Sequence, residues 1–256
     1  NEKETKNIIS EIPKLLKKPR ELSDSGFQRV DKKDTILIID CGVPKNYHAT
    51  YKAHSCSTTF ELSYKKNKII INSLPGLEKK INRKTAAHST LTLNNTNAYK
   101  TLKNEHLSRV PDKLKVKRVE RYGANIIEIE NYGYKNQYDA VHKRIIYLDK
   151  DGIDIRGEDN IFCPIQILFD LRFYLDSKVK TLVTNNGKNA VLKLPNGTGW
   201  KFISSLNKLN LVLDKSVMLL KRLWTETSRG HKSRDTQTYD RGVTVDHKMK
   251  LKSVKM

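Results

Sequence analysis

Hydrophobic and polar positions alternate along most of this chain, and the alternation has the two-residue period of β-strands. Phe60, Leu62 and Tyr64 take every second place among Thr59, Glu61 and Ser63, which predicts a half-buried strand. Lys66 and Asn67 supply a turn, and Lys68 to Ile71 returns as a β-branched strand. Upstream, Ser25-Gly26 turns into a strand at 27–30, a second strand at 35–40 closes on Cys41-Gly42, and 43–52 reads as a loop. Downstream, 95–113 is a polar excursion. Strands are then predicted at 115–122, 125–131, 139–148, 153–156, 169–175, 180–183, 190–194, 199–203, 209–213 and 216–220. Asn, Asp and Gly in Tyr122-Gly-Ala-Asn125, Asp149-Lys-Asp-Gly152, Asn185-Asn-Gly187, Pro195-Asn-Gly197 and Leu206-Asn-Lys208 punctuate them with turn chemistry. A last alternation sets Val243, Val245, His247, Met249 and Leu251 against Thr244, Asp246, Lys248 and Lys250. It predicts an edge strand with a lysine row in water. Helical spacing occurs in Ile8, Ile9, Ile12, Leu15 and Leu16. The fold class is therefore all-β: an antiparallel β-sandwich or stacked-sheet domain over 25–256, behind a short helical connector at 1–24.

Composition bears on partners more than on fold. The 256 residues can bury a full core, and the chain opens at Asn1 without an apolar leader, so it reads as part of a longer protein. No apolar run reaches the length of a membrane span. Cys41, Cys56 and Cys163 are odd in number and widely spaced, which argues against a disulfide framework and a zinc finger. A formal charge of +21 attracts polyanions: nucleic acid, anionic lipid or acidic polysaccharide. The lysines are spread along a chain also rich in Asn and Ile, instead of forming one block, which disfavours nucleic acid.

The candidate chemistry lies between Tyr51 and Leu93. His54 precedes the Phe60 strand, Asn72 follows the next, and His88 is expected to open a third. If the three strands are neighbours, these groups meet at one rim. The ordered set His54, Thr59-Phe-Glu61, Asn72, Arg83-Lys-Thr85-Ala-Ala-His88-Ser-Thr90, His142-Lys-Arg144, and Gly152 followed by Arg156-Gly-Glu-Asp159 resembles the C-terminal domain of heparinase II/III-type polysaccharide lyases. The resemblance runs from about Ser25 to Phe202.

That resemblance implies a β-sandwich in the cell envelope or periplasm that completes a cleft against an N-terminal α/α toroid. The reaction would be β-elimination on a uronic-acid polysaccharide, with further catalytic groups on the helical domain. It implies zinc held by His54, Asn72 and His88, with Asn72 standing where the family has aspartate. Cys56 stands where an aspartate is usual, and Lys52 where a catalytic histidine is usual. The catalytic candidates are thus His88 and Lys52, the latter as a cation that offsets the substrate carboxylate. Arg83 and Tyr51, with Tyr47 beside it, are the substrate-binding candidates. Each has a plainer reading. His54 and His88 can simply hydrogen-bond at a strand end, Arg83 can pair with a local acid such as Glu78, and loop tyrosines can pack on a sheet edge. His142 and Arg144 share one strand face and suit a sheet interface. Glu158 and Asp159 are expected to end a hairpin and point apart. The alternative to a lyase domain is a non-catalytic sugar-binding or architectural sandwich.

Overall fold

The computed structural model describes residues 21–22, 26–51, 53–72, 79–111, 114–184, 189–205, 212–214, 217–223 and 243–254. In chain order the strands are β1 (Glu21–Leu22), β2 (Phe27–Lys32), β3 (Thr35–Asp40), β4 (Phe60–Tyr64), β5 (Asn67–Ile71), β6 (Leu91–Leu93), β7 (Lys100–Thr101) and β8 (Leu107–Ser108). There follow β9 (Lys115–Arg121), β10 (Ala124–Asn131), β11 (Val141–Leu148), β12 (Asp154–Cys163), β13 (Leu168–Leu175), β14 (Lys180–Thr184), β15 (Asn189–Lys193), β16 (Gly199–Ser204), β17 (Val212–Asp214), β18 (Val217–Leu223) and β19 (Val243–Val254). One sheet runs β1-β2-β3-β4-β5-β13-β18-β17, with β6 also on β13, and the other runs β14-β15-β16-β19-β12-β11-β10-β9. The strands β7 and β8 pair as a small ribbon inside the polar excursion.

The alternation read from sequence becomes a shared core between the two large sheets. Leu37, Ile39, Phe60 and Leu62 from the first meet Ile127, Ile146, Trp200 and Phe202 from the second in one buried cluster. Ring contacts cross the interface, Tyr64 edge-on to Trp200 at 5.5 Å and Phe173 tilted on Phe202 at 5.3 Å between centroids. Burying each such side chain contributes about 1.5–3 kcal/mol. The all-β sandwich is the fold.

Four local expectations change. The predicted turn at Gly157-Glu-Asp159 is uninterrupted strand within β12. Glycine is there because a Cβ would lie 2.5 Å from Cε of Met249, so it marks close packing across the sheet and not a bend. The last strand, β19, is not an edge: it pairs with β12 on one side and β16 on the other. Alternation had assigned its faces correctly, since Met249 and Leu251 are buried and Lys248 is exposed, but alternation carries no information about neighbours. The third strand of the central stretch, β6, starts at Leu91 and pairs with β13, not with β5. Within the loop at 43–52, Tyr47–Thr50 forms a helical turn capped by the Asn46 side chain. The predicted N-terminal helix lies outside the described residues, while Glu21–Leu22, assigned to the connector, pairs with β2.

Candidate functional site

The register of β13 creates the site. β5 pairs with its Tyr174 and Leu175, and β6 pairs with Phe169 to Leu171, so both occupy the same edge with a break between them. Ser89 spans that break, its hydroxyl donating to the Ile71 carbonyl at 2.7 Å and accepting from the Tyr174 amide at 2.9 Å. Asn72 leaves β5 and His88 approaches β6 at this point. The two side chains meet, with His88 Nδ1 2.8 Å from the Asn72 amide and Nε2 2.7 Å from the Asn82 carbonyl. Thr59 Oγ1 lies 2.9 Å from the same Asn72 atom. The His54 ring is tilted over His88 at 5.2 Å between centroids.

The proton count of the His88 ring bears on the orientation of this clasp. Burial and the adjacent His54 push His88 down to about 4, so the ring is neutral near pH 7 and carries one N–H. Neutral, the ring has one N–H for two oxygen neighbours, the Asn82 carbonyl at Nε2 and Asn72 Oδ1 at Nδ1. Asn72 Oδ1 also accepts from Thr59 Oγ1; turned about, the amide would instead give its hydrogens to His88 Nδ1 and to Thr59 Oγ1, leaving the ring proton on Nε2. His54 is also lowered, by burial and then by the positive charge of Arg83.

Buried hydroxyls stitch the loop bearing His54 to the turn bearing His88. Ser55 Oγ and Thr85 Oγ1 are 2.8 Å apart, and each also accepts from a backbone amide, Tyr99 and Ala98 respectively. From the opposite sheet Arg144 reaches underneath. Its Nη1 donates to the Thr58 and Ser89 carbonyls at 2.7 and 2.9 Å, and its Nε donates to Asp159 at 2.6 Å. His142 Nε2 shares that carboxylate oxygen at 2.7 Å. His142 and Arg144 therefore do sit at the sheet interface, and Glu158 and Asp159 do point to opposite faces, although from mid-strand.

The remaining candidates divide. Arg83 is 6% exposed and donates to the Ala53 carbonyl at 3.0 Å and the Glu105 carbonyl at 2.5 Å, so its fork is spent on backbone. Tyr47 and Tyr51 are exposed but gather around His106, which stacks on Tyr47 at 3.9 Å with planes 8° apart. Lys52 lies outside the described residues. The sequence reading missed His106 and Asp40. Asp40 ends β3 and, with Phe27, Pro44, His54, Cys56 and Ser57, lines a cleft of about 420 Å³. Burial raises its carboxyl to about 6, and the Cys56 thiol donates to it at 3.3 Å, with that thiol's own pKa pushed up. Nothing in the Asp40 neighbourhood of the sequence signals this, because the partner thiol comes from a distant loop. Cys41, Cys56 and Cys163 are not joined in disulfides.

Zinc does not suit these residues as they stand. Both ring nitrogens of His88 are already engaged, Nε2 with the Asn82 carbonyl and Nδ1 with the Asn72 side chain, so neither is open to a metal. The third member is a neutral amide where borderline-soft zinc favours an anionic oxygen. Among the described residues no three His, Cys, Asp or Glu side chains converge as a coordination set.

Residues 14–229 match the family described as heparinase II/III-like, C-terminal. Among curated proteins none matches the chain. Among solved structures, a heparan sulfate lyase, HepC from Pedobacter heparinus, superposes with a TM-score of 0.65 at 17% identity, over 94% of this chain and 37% of its own. A heparinase III, the BT4657 gene product, gives 0.64 at 15% over 94% and 36%. A further heparinase III gives 0.60 at 15% over 89% and 35%. At these identities the likeness is one of fold, and the chain spans little more than a third of the length of those lyases. No helix among the described residues is long and apolar enough to cross a membrane.

Proposed function

The chain belongs to the heparinase II/III-like C-terminal family, and on that footing we propose that it is the β domain of a lyase that cleaves acidic polysaccharide by β-elimination. An N-terminal helical domain of the same protein would supply the other wall of the cleft, and the setting would be the cell envelope or periplasm. The observation that carries this reading is the convergence of His54, Asn72 and His88, brought from separate segments to one break in a sheet. In β-elimination a base removes the proton beside a uronate carboxylate whose charge has been offset, and an acid protonates the leaving oxygen. Here Lys52 would offset the carboxylate, as would the charge of Arg83 at longer range. His54 would face the substrate as a neutral imidazole, and His88 would hold it in place from behind. Tyr51 would contact a sugar ring at the entrance.

The test is the full-length protein incubated with heparan sulfate and other uronate-containing chains, following the ultraviolet absorbance of unsaturated uronate products. Activity lost in His54→Ala supports the reading; absence of product on every acidic glycan rejects it. The second reading, a sandwich that binds sugar without cleaving it, is favoured by the inward turn of Arg83 and by the amide at Asn72. It predicts glycan binding that survives His54→Ala and no product at all.

A further inference from the structure

We propose that the Thr59–Asn72–His88 clasp takes the place of a metal, and that this chain stands one carboxylate short of a zinc site. The geometry argues it atom by atom. Two imidazoles lie 5.2 Å apart between centroids, close enough to share an ion between them. A metal needs a ring nitrogen free of other partners, and both of His88's are engaged: Nε2 with the Asn82 carbonyl and Nδ1 with the Asn72 side chain. Opening Nδ1 would take from Asn72 one of the two partners, His88 and Thr59, that meet at the same side-chain atom. The His88 ring is 1% exposed, so a ring nitrogen pulled from its partner there has no water to turn to.

The same bonds explain what the clasp does instead. β5 and β6 do not hydrogen-bond to each other, so nothing in the sheet ladder fixes the Asn72 end against the His88 end. The side-chain clasp and the Ser89 bridge together join the two strand ends across the break. In this role a neutral amide is the better residue. It can donate to a neutral imidazole and to a hydroxyl at once, whereas a carboxylate can only accept.

A single substitution separates the clasp from the coordination site. Asn72→Asp would remove the amide donor and add the anionic oxygen that zinc prefers. The experiment titrates zinc alone into the apo full chain, using calorimetry for stoichiometry and thermal unfolding for the shift in Tm. The wild-type protein is expected to show no one-to-one zinc binding and no zinc-dependent rise in Tm. Asn72→Asp is expected to take up one zinc per chain with a rise in Tm, and Asn72→Asp/His88→Gln to lose both. Nitrogen-15 NMR of the histidine rings gives a second readout that does not need the variant to fold. In wild type, His88 is expected as the Nε2–H tautomer, unmoved by zinc. Tight one-to-one zinc uptake by the wild type, lost in His88→Gln, overturns the proposal, as does an Nδ1–H tautomer at His88. A folded Asn72→Asp that takes up no zinc overturns the claim that one carboxylate is what is missing. None of these outcomes depends on lyase activity, so they leave the proposed function to its own test.

Discussion

Asp40 and His88 are displaced in opposite senses, and their contributions to stability oppose each other between pH 4 and 6.5. Burial raises Asp40 from 3.8 to about 6. Between those values the folded chain keeps a proton that the unfolded chain has lost, so stability falls as pH rises. His88 is lowered from 6.5 to about 4. Between those values the unfolded chain binds a proton that the folded chain refuses, so stability falls as pH drops. Each displacement corresponds to roughly 3 kcal/mol, and over the shared window the two largely cancel. Removing one exposes the other. Asp40→Asn is expected to lose about 3 kcal/mol between pH 6.5 and pH 4, and His88→Gln to lose a similar amount from pH 4 up to pH 6. Urea midpoints across a pH series measure both. A flat profile for Asp40→Asn would show that His88 titrates normally and that the clasp is looser than described.

At the scale of elements, the fastening that matters is Arg144 on β11. It is 1% exposed, it bonds to Asp159 on β12, and it reaches across the core to the backbone on either side of the clasp. Arg144→Met takes the guanidinium from the buried Asp159 carboxylate and frees two buried carbonyls, so a loss of about 3–5 kcal/mol is expected. Arg144→Lys keeps a cation near Asp159 but lacks the planar fork that serves carboxylate and carbonyls together. It is expected to cost less and still to shift the His88 ring resonances, because the Thr58 and Ser89 carbonyls are released. Unchanged His88 resonances in Arg144→Lys would confine Arg144 to general packing. The pairing of His142 with Arg144 on one face was legible in the sequence, since alternation states facing directly. What they touch was not, because the partners Thr58 and Ser89 lie in loops without a period. The same limit explains β12 and β19. Gly157 looks like turn chemistry until Met249 is seen against it, and a terminal strand looks like an edge until its second neighbour is known. Asn72 and His88 were legible as partners through an ordered residue pattern, but the mechanism that joins them, two strands sharing one edge of β13, belongs to the sheet order.

For the whole molecule the open question is whether its partner is chosen by net charge or by a cleft. The formal charge is +21, and its cations are distributed over both sheets. Many are already paired across strands, as in Lys143 with Glu128, Lys115 with Glu130 and Lys32 with Glu120. Such a surface attracts any polyanion by its field, and field-driven binding decays steeply with salt because it is driven by counterion release. Duplex DNA is therefore expected to bind at low salt and to lose a factor of roughly 10³–10⁵ in affinity between about 50 and 200 mM if six to ten phosphates are engaged. A uronate-containing glycan of similar charge density should start with the same dependence and then level off. Contacts to hydroxyls and ring faces around His54 and Tyr51 release no counterions, so they persist when the field is screened. Affinities measured for both ligands on the full-length protein across that salt range distinguish the cases. Parallel curves that fall together would mean the field alone recruits the ligand and that the cleft beside His54 adds no selectivity. A glycan curve that flattens, and steepens again in His54→Ala, would place the selecting contacts at that cleft.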